Sequence, residues 1–149
     1  MNTSNIMKRL GIIILATFSV MGLLHATAQP KFTIIPITST TLILQSTEVA
    51  TVDYRVTNQT KITRTLTMIP LTGISQTSSG SGICSNPFTL AQNQSCTLSL
   101  QINAAQLPIG AIQVGVELCK TEDNTNTPDR FLCSQTSSTN ELKITRLSV

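Results

Sequence analysis

The run 84–102, Cys-Ser-Asn-Pro-Phe-Thr-Leu-Ala-Gln-Asn-Gln-Ser-Cys-Thr-Leu-Ser-Leu-Gln-Ile, constrains the fold more than any other stretch. From Cys96 onward an apolar residue stands at every second position, Cys96, Leu98, Leu100 and Ile102, with Thr97, Ser99 and Gln101 between them. A period of two gives an extended strand one apolar and one polar face. Such a strand is stable only when a second layer covers the apolar side, so the run calls for two packed sheets.

Other segments repeat the pattern. Residues 50–58 put Val52, Tyr54 and Val56 on one face and Thr51, Asp53, Arg55 and Thr57 on the other. Residues 111–120 put Ile112, Val114, Val116 and Leu118 inward, with Gln113, Gly115 and Glu117 outward. Shorter strands are expected at 32–37 and 41–45, where Pro36 suits an edge strand or one that switches sheets. Residues 63–71 follow with Leu66 and Met68 inward and Pro70 at an edge or bulge, then 87–90, 131–133, and 141–149 with Leu142 and Ile144 inward. Asn58-Gln59-Thr60 reads as a turn, because Asn can cap its own turn. Residues 73–82 read as a mobile polar loop, 103–110 as a crossover, and 121–130 as a polar hairpin loop. About seven or eight strands joined in this way describe an all-β, immunoglobulin-like antiparallel β-sandwich. Composition agrees: Ser and Thr supply 34 of the residues after position 28, and β-branched side chains keep more freedom on a pleated surface than in a helix.

The N-terminus reads as an export signal. Lys8 and Arg9 precede an uncharged apolar stretch, 10–24, and Ala26-Thr27-Ala28 offers a small-x-small cleavage site. The stretch is shorter than the ~20 residues that span a bilayer. A cleaved signal peptide at 1–28 and a single domain at 29–149 are therefore expected, in a secreted, extracellular or periplasmic setting. Without Lys8 and Arg9, eight basic residues face seven acidic ones. Lys31, Arg55, Lys61, Arg64, Lys120, Arg130, Lys143 and Arg146 are scattered along the chain without the aromatic interleaving of a basic cluster, which gives a nucleic-acid groove no support.

Four cysteines in a short exported chain are most economically two disulfides, with three connectivities possible. Cys84 with Cys96 and Cys119 with Cys133 is the preferred choice, because each pair brackets a turn that brings its ends together. Zinc is disfavoured: the spacings contain no Cys-x-x-Cys knuckle, and an oxidising compartment removes free thiols. Cys119 is one residue out of phase with the inward set, so its bond is expected on the outer face or rim.

Val56-Thr57-Asn58, Gly82-Ile83-Cys84, Leu90-Ala91 and Ser95-Cys96-Thr97-Leu98 together resemble bacterial exported immunoglobulin-like domains of the choice-of-anchor and abnormal-spindle-like kind. The resemblance spans 50–110. It implies a sandwich with the first cysteine pair bonded, used as an extracytoplasmic interaction or scaffold module without catalysis. Ile102-Asn103-Ala104 departs from the family pattern, and the Cys119 to Cys133 hairpin is an addition to it.

Most catalytic chemistry lacks its parts. The sole histidine, His25, lies in the expected signal peptide, so no imidazole remains to activate a serine or cysteine. Asp53 and Glu117 are the carboxylates a glycosidase-type mechanism could recruit, but their alternating positions read as solvated faces. The loop 121–129 gathers three carboxylates and two amides, a set calcium can use, yet it lacks the EF-hand pattern and reads as a polar turn. Asn58-Gln59-Thr60 and Asn93-Gln94-Ser95 match the glycosylation acceptor pattern. No cofactor or metal is called for. The expected function is a non-catalytic binding module that meets a protein or surface glycan through the loops 73–82 and 121–130. The alternative is a structural or accessory subunit of a bacterial surface fibre or adhesin, with 32–37 as a pairing edge that makes a homo-oligomer. A carboxylate-based hydrolase comes third.

Overall fold

Tyr54 faces Leu98, and Val52 faces Leu100, along the longest antiparallel ladder of the molecule, between β3 (Val49–Asn58) and β7 (Ser95–Asn103). Opposite residues of such a ladder share a face, so the two alternations seen in the sequence merge into one apolar surface. The computed structural model describes residues 31–121 and 127–148; the expected signal peptide and the residues 122–126 lie outside them.

The ladder is the centre of a four-stranded sheet ordered β1-β3-β7-β5, with β1 Phe32–Pro36 and β5 Ile74–Thr77 at its edges. A second sheet, ordered β10-β9-β4-β6, consists of β10 (Pro128–Gln135), β9 (Glu117–Thr121), β4 (Arg64–Met68) and β6 (Phe88–Leu90). A third ladder, β2-β11-β8, joins β2 (Thr41–Leu44), β11 (Leu142–Arg146) and β8 (Gly110–Val114), with β2 parallel to β11. Since β8 runs into β9 and β10 into β11, these two ladders form one layer across the core from the first. The order β1-β3-β7-β5 corresponds to the A-B-E-D sheet of immunoglobulin-like sandwiches. Between the layers lie Phe32, Val52, Tyr54, Leu66, Phe88, Leu98, Leu100, Leu118, Leu142 and their neighbours.

Pro36 closes β1, and the chain crosses from the first layer to the second before β2, as a sheet-switching proline requires. The segment 103–110 is a crossover holding a 3-10 turn, Ala104–Gln106, capped by the Asn103 side chain at Ala105 N–H (3.0 Å). Tyr54 is the largest fully buried side chain. Its hydroxyl donates to the Asn140 carbonyl at 3.0 Å, satisfying the one polar atom it carries inward.

Several expectations need correction. Eleven strands are present among the described residues, against seven or eight expected; one expected strand is divided and one expected loop holds a strand of its own. The expected strand 111–120 is divided at Gly115 and Val116: β8 pairs β11, while β9 pairs β10 and β4. At the break Val116 N–H donates to Thr136 Oγ1 and Thr136 N–H to the Val116 carbonyl, so the partner strand is interrupted at the same level. The expected loop 73–82 contains β5, whose Ile74 is buried and which pairs with β7 from Ile74↔Ile102 to Thr77↔Ser99. Pro70 lies on neither an edge strand nor a bulge; β4 sits inside its sheet and ends two residues earlier.

Candidate functional site: a disulfide-clamped hairpin

Both disulfides join the cysteines that bracket turns, Cys84 with Cys96 and Cys119 with Cys133. None of the four sulfurs is left as a thiolate, so the zinc alternative has no ligands to use. Glu117 lies close to the Cys119 and Cys133 sulfurs, but those sulfurs are bonded to each other, leaving a single carboxylate there.

Cys119 and Cys133 stand directly opposite in the β9–β10 ladder. The same ladder puts Leu118 toward the core, so the bond lies on the outer face, as its phase in the sequence indicated. Cys119 is nevertheless 0% exposed, which corrects the picture of a rim cysteine: Thr67 of β4, itself nearly buried, stands beside it in register.

Beyond the disulfide the register breaks. Pro128 pairs with Thr121 and Cys133 with Cys119, so Asp129, Arg130, Phe131 and Leu132 on β10 span what Lys120 alone spans on β9. The surplus chain is pushed outward as a bulge. Asp129 Oδ1 accepts the Phe131 N–H at 3.0 Å, an Asx turn that fixes the bulge's conformation. Phe131 is thereby held 93% exposed. Arg130 stands next to it, 4.0 Å from the Glu117 carboxylate across the hairpin. An exposed pair of this kind contributes ~0 to 1 kcal/mol, too little to hold the hairpin together.

The other site candidates are dispersed. Asp53 is on β3 and Glu117 on β9, each on the outer side of a different layer. The hydrophobic core separates them, which removes the paired-carboxylate geometry a glycosidase needs. Of the calcium-loop candidates, Asp129 spends Oδ1 on the Asx turn, while Glu122 and Asp123 lie outside the described residues. Asn58 is 0% exposed, and both ends of its amide are bonded, which closes it to a glycan in the folded chain. The sequence signal for the hairpin was Arg130-Phe131-Leu132 within a disulfide bracket; what alternation could not disclose was the register slip that turns Phe131 out.

No family model and no curated protein matches this chain. Among solved structures it is similar to a FixG-related protein from Vibrio parahaemolyticus, at 10% identity and TM-score 0.45, with 78% of this chain and 95% of that chain covered. It is also similar to the VesB protease of Vibrio cholerae, at 15% identity and TM-score 0.41, covering 79% of this chain and 32% of the protease.

Proposed function

We propose that the protein is an exported, non-catalytic interaction module, periplasmic or secreted, that engages a protein or surface-glycan partner through the Cys119–Cys133 hairpin. One observation carries the reading: an aromatic side chain 93% exposed on a bulge clamped by a disulfide. Isolated exposed apolar residues are common, but a large aromatic with an arginine beside it, presented on a preorganised loop, is the composition of a binding hot spot. A partner that buries the ring gains about 2 kcal/mol from area alone. The clamp reduces the conformational entropy lost on binding. Both disulfides suit an oxidising compartment, and among the described residues no helix is long and apolar enough to cross a membrane.

The test is capture from cell-envelope and medium fractions of the native host with wild type, Phe131→Ala and the Cys119→Ala/Cys133→Ala pair as baits. Partners retained by wild type and lost from both variants support the reading; a Phe131→Ala bait that keeps every partner ends it. Intact-mass analysis of native protein reports whether residues 1–28 are removed. The edge 32–37, which a fibre subunit would use for pairing, is partly occupied, since Phe32 N–H donates to Ser134 Oγ at 3.0 Å.

A further inference from the structure

β8 ends its ladder. It pairs with β11 along Leu142↔Val114 to Arg146↔Gly110, and no strand among the described residues pairs with its other edge. Alternate residues of an antiparallel strand turn their N–H and C=O groups to opposite edges, so β8 presents unpaired backbone groups on that side. Proteins commonly guard such an edge with charge. β8 reads Gly-Ala-Ile-Gln-Val and has none.

Pro70 explains why the edge is open. β4 runs antiparallel to β9 as far as Met68↔Leu118, and Ile69 N–H still donates to the Glu117 carbonyl at 2.9 Å. Continued by a few residues, the same strand would lie along β8. Pro70 has no N–H to offer the ladder, and the chain leaves through Leu71 toward β5. A groove of about 390 Å³ is lined by side chains of β8 and of the chain that follows Pro70. Leu71 and Ile74 form one wall, Ile112, Val114 and Ile144 the other, and Leu107 closes one end. Arg146 Nη1 donates to the Leu107 carbonyl and ties that end to β11. No charged side chain is among the lining residues.

We propose that this edge and groove accept an extended segment of another protein by strand addition, antiparallel to β8, with uncharged apolar side chains at alternate positions entering the groove. The free backbone edge selects an extended chain, because no other occupant pairs its N–H and C=O groups. The apolar, uncharged walls select Val, Ile or Leu at every second residue and exclude charge there. Continuity with the β4–β9 ladder sets the direction, and the length of β8 limits pairing to its five residues. The site is separate from the Phe131 hairpin and does not depend on that reading.

The experiment uses the folded, oxidised protein and three fluorescein-labelled peptides of one composition. One alternates valine with threonine, one carries the same residues with the valines clustered, and one is the alternating peptide N-methylated at every second amide. The alternating peptide is expected to bind about tenfold more tightly than either control, the worth of one or two net hydrogen bonds or one apolar side chain. Hydrogen exchange at residues 111–114 is expected to slow when it binds. Thr72→Trp, at an exposed position on the groove's rim, is expected to weaken binding about tenfold by filling the slot, with thermal unfolding unchanged. Equal binding of all three peptides, no binding at ~1 mM (a ΔG weaker than about −4 kcal/mol), or binding without protection of 111–114 each overturns the proposal. So does a dimer whose 111–114 amides are protected without peptide, which assigns the edge to a second copy.

Discussion

Asn58 concentrates more polar structure than any other single side chain. Its Nδ2 donates to the Ile62 and Leu90 carbonyls, each at 2.9 Å, and its Oδ1 accepts from the Thr60 N–H and the Thr60 hydroxyl. One amide thus turns the chain after β3 and fastens that turn to the end of β6. Replacing it with alanine takes the Nδ2 donor from the buried Leu90 carbonyl, while the Ile62 carbonyl keeps the Thr60 hydroxyl, so Asn58→Ala is expected to cost about 2 kcal/mol in urea unfolding. Asn58→Asp is expected to cost more at neutral pH, since an anionic oxygen would then face carbonyl oxygens. The sequence made the turn legible through Asn58-Gln59-Thr60 but not the burial, because Leu90, whose carbonyl takes one of the Nδ2 hydrogens, is 32 residues away. Tyr54 yields a second expectation at this scale. Burial, and secondarily the Glu141 carboxylate, push its phenol up to about 12 from an ordinary value near 10. A raised folded-state pKa means that the neutral form is the one the fold stabilises. Its contribution is therefore complete below pH ~10 and lost as pH rises toward about 12. Tyr54→Phe is expected to lose about 1 kcal/mol at pH 7 with the Asn140 hydrogen bond, and to show a shallower decline in stability than wild type between pH 10 and 12.

Among the elements, those with long alternation were legible and those defined by interruption were not. β3 and β7 each carry their apolar residues in step for several positions, so period alone places them. β5 has four residues with one buried side chain, Ile74, too short a run to show a period against its Ser and Thr surroundings. The alternation from Ile112 to Leu118 passes through Gly115 unbroken in the sequence, while the burial does not: Leu118 and Cys119 are both buried because β9 is covered on both faces. β5 is brought to its place by Gly73. That residue has φ +71°, and a Cβ on it would stand 2.7 Å from Leu107 Cδ2. Both the backbone region and the contact exclude a side chain. Gly73→Ala is expected to destabilise the fold by about 2 kcal/mol, with hydrogen exchange rising first in β5. Wild-type stability for this variant would show that the turn tolerates other conformations and that β5 is not held by it.

In the molecule as a whole, the two disulfides restrain opposite layers and are expected to fail in different places. Cys84–Cys96 tethers an irregular segment to the first sheet, where Cys84 N–H donates to the Thr97 carbonyl and Thr97 N–H to the Gly82 carbonyl, both at 2.8 Å. That segment continues the cover that β5 gives to the edge of β7. Cys119–Cys133 joins strands already paired in the second layer and holds the bulge with Phe131. The bonds close loops of similar length, separations of 12 and 14 residues, so chain entropy assigns each about 3 kcal/mol. Global stability therefore cannot tell them apart, but local opening can. Cys84→Ala/Cys96→Ala is expected to raise hydrogen exchange along β7 and β5 and, by baring a strand edge, to promote association. Cys119→Ala/Cys133→Ala is expected to raise exchange within residues 128–135 while the β3–β7 ladder stays protected. Identical exchange maps for the two variants would mean that the layers open as one unit and that the hairpin is no separate platform. Distinct maps place Phe131 on an element that loosens without unfolding the sandwich behind it, which is the property a binding hairpin on a rigid scaffold requires.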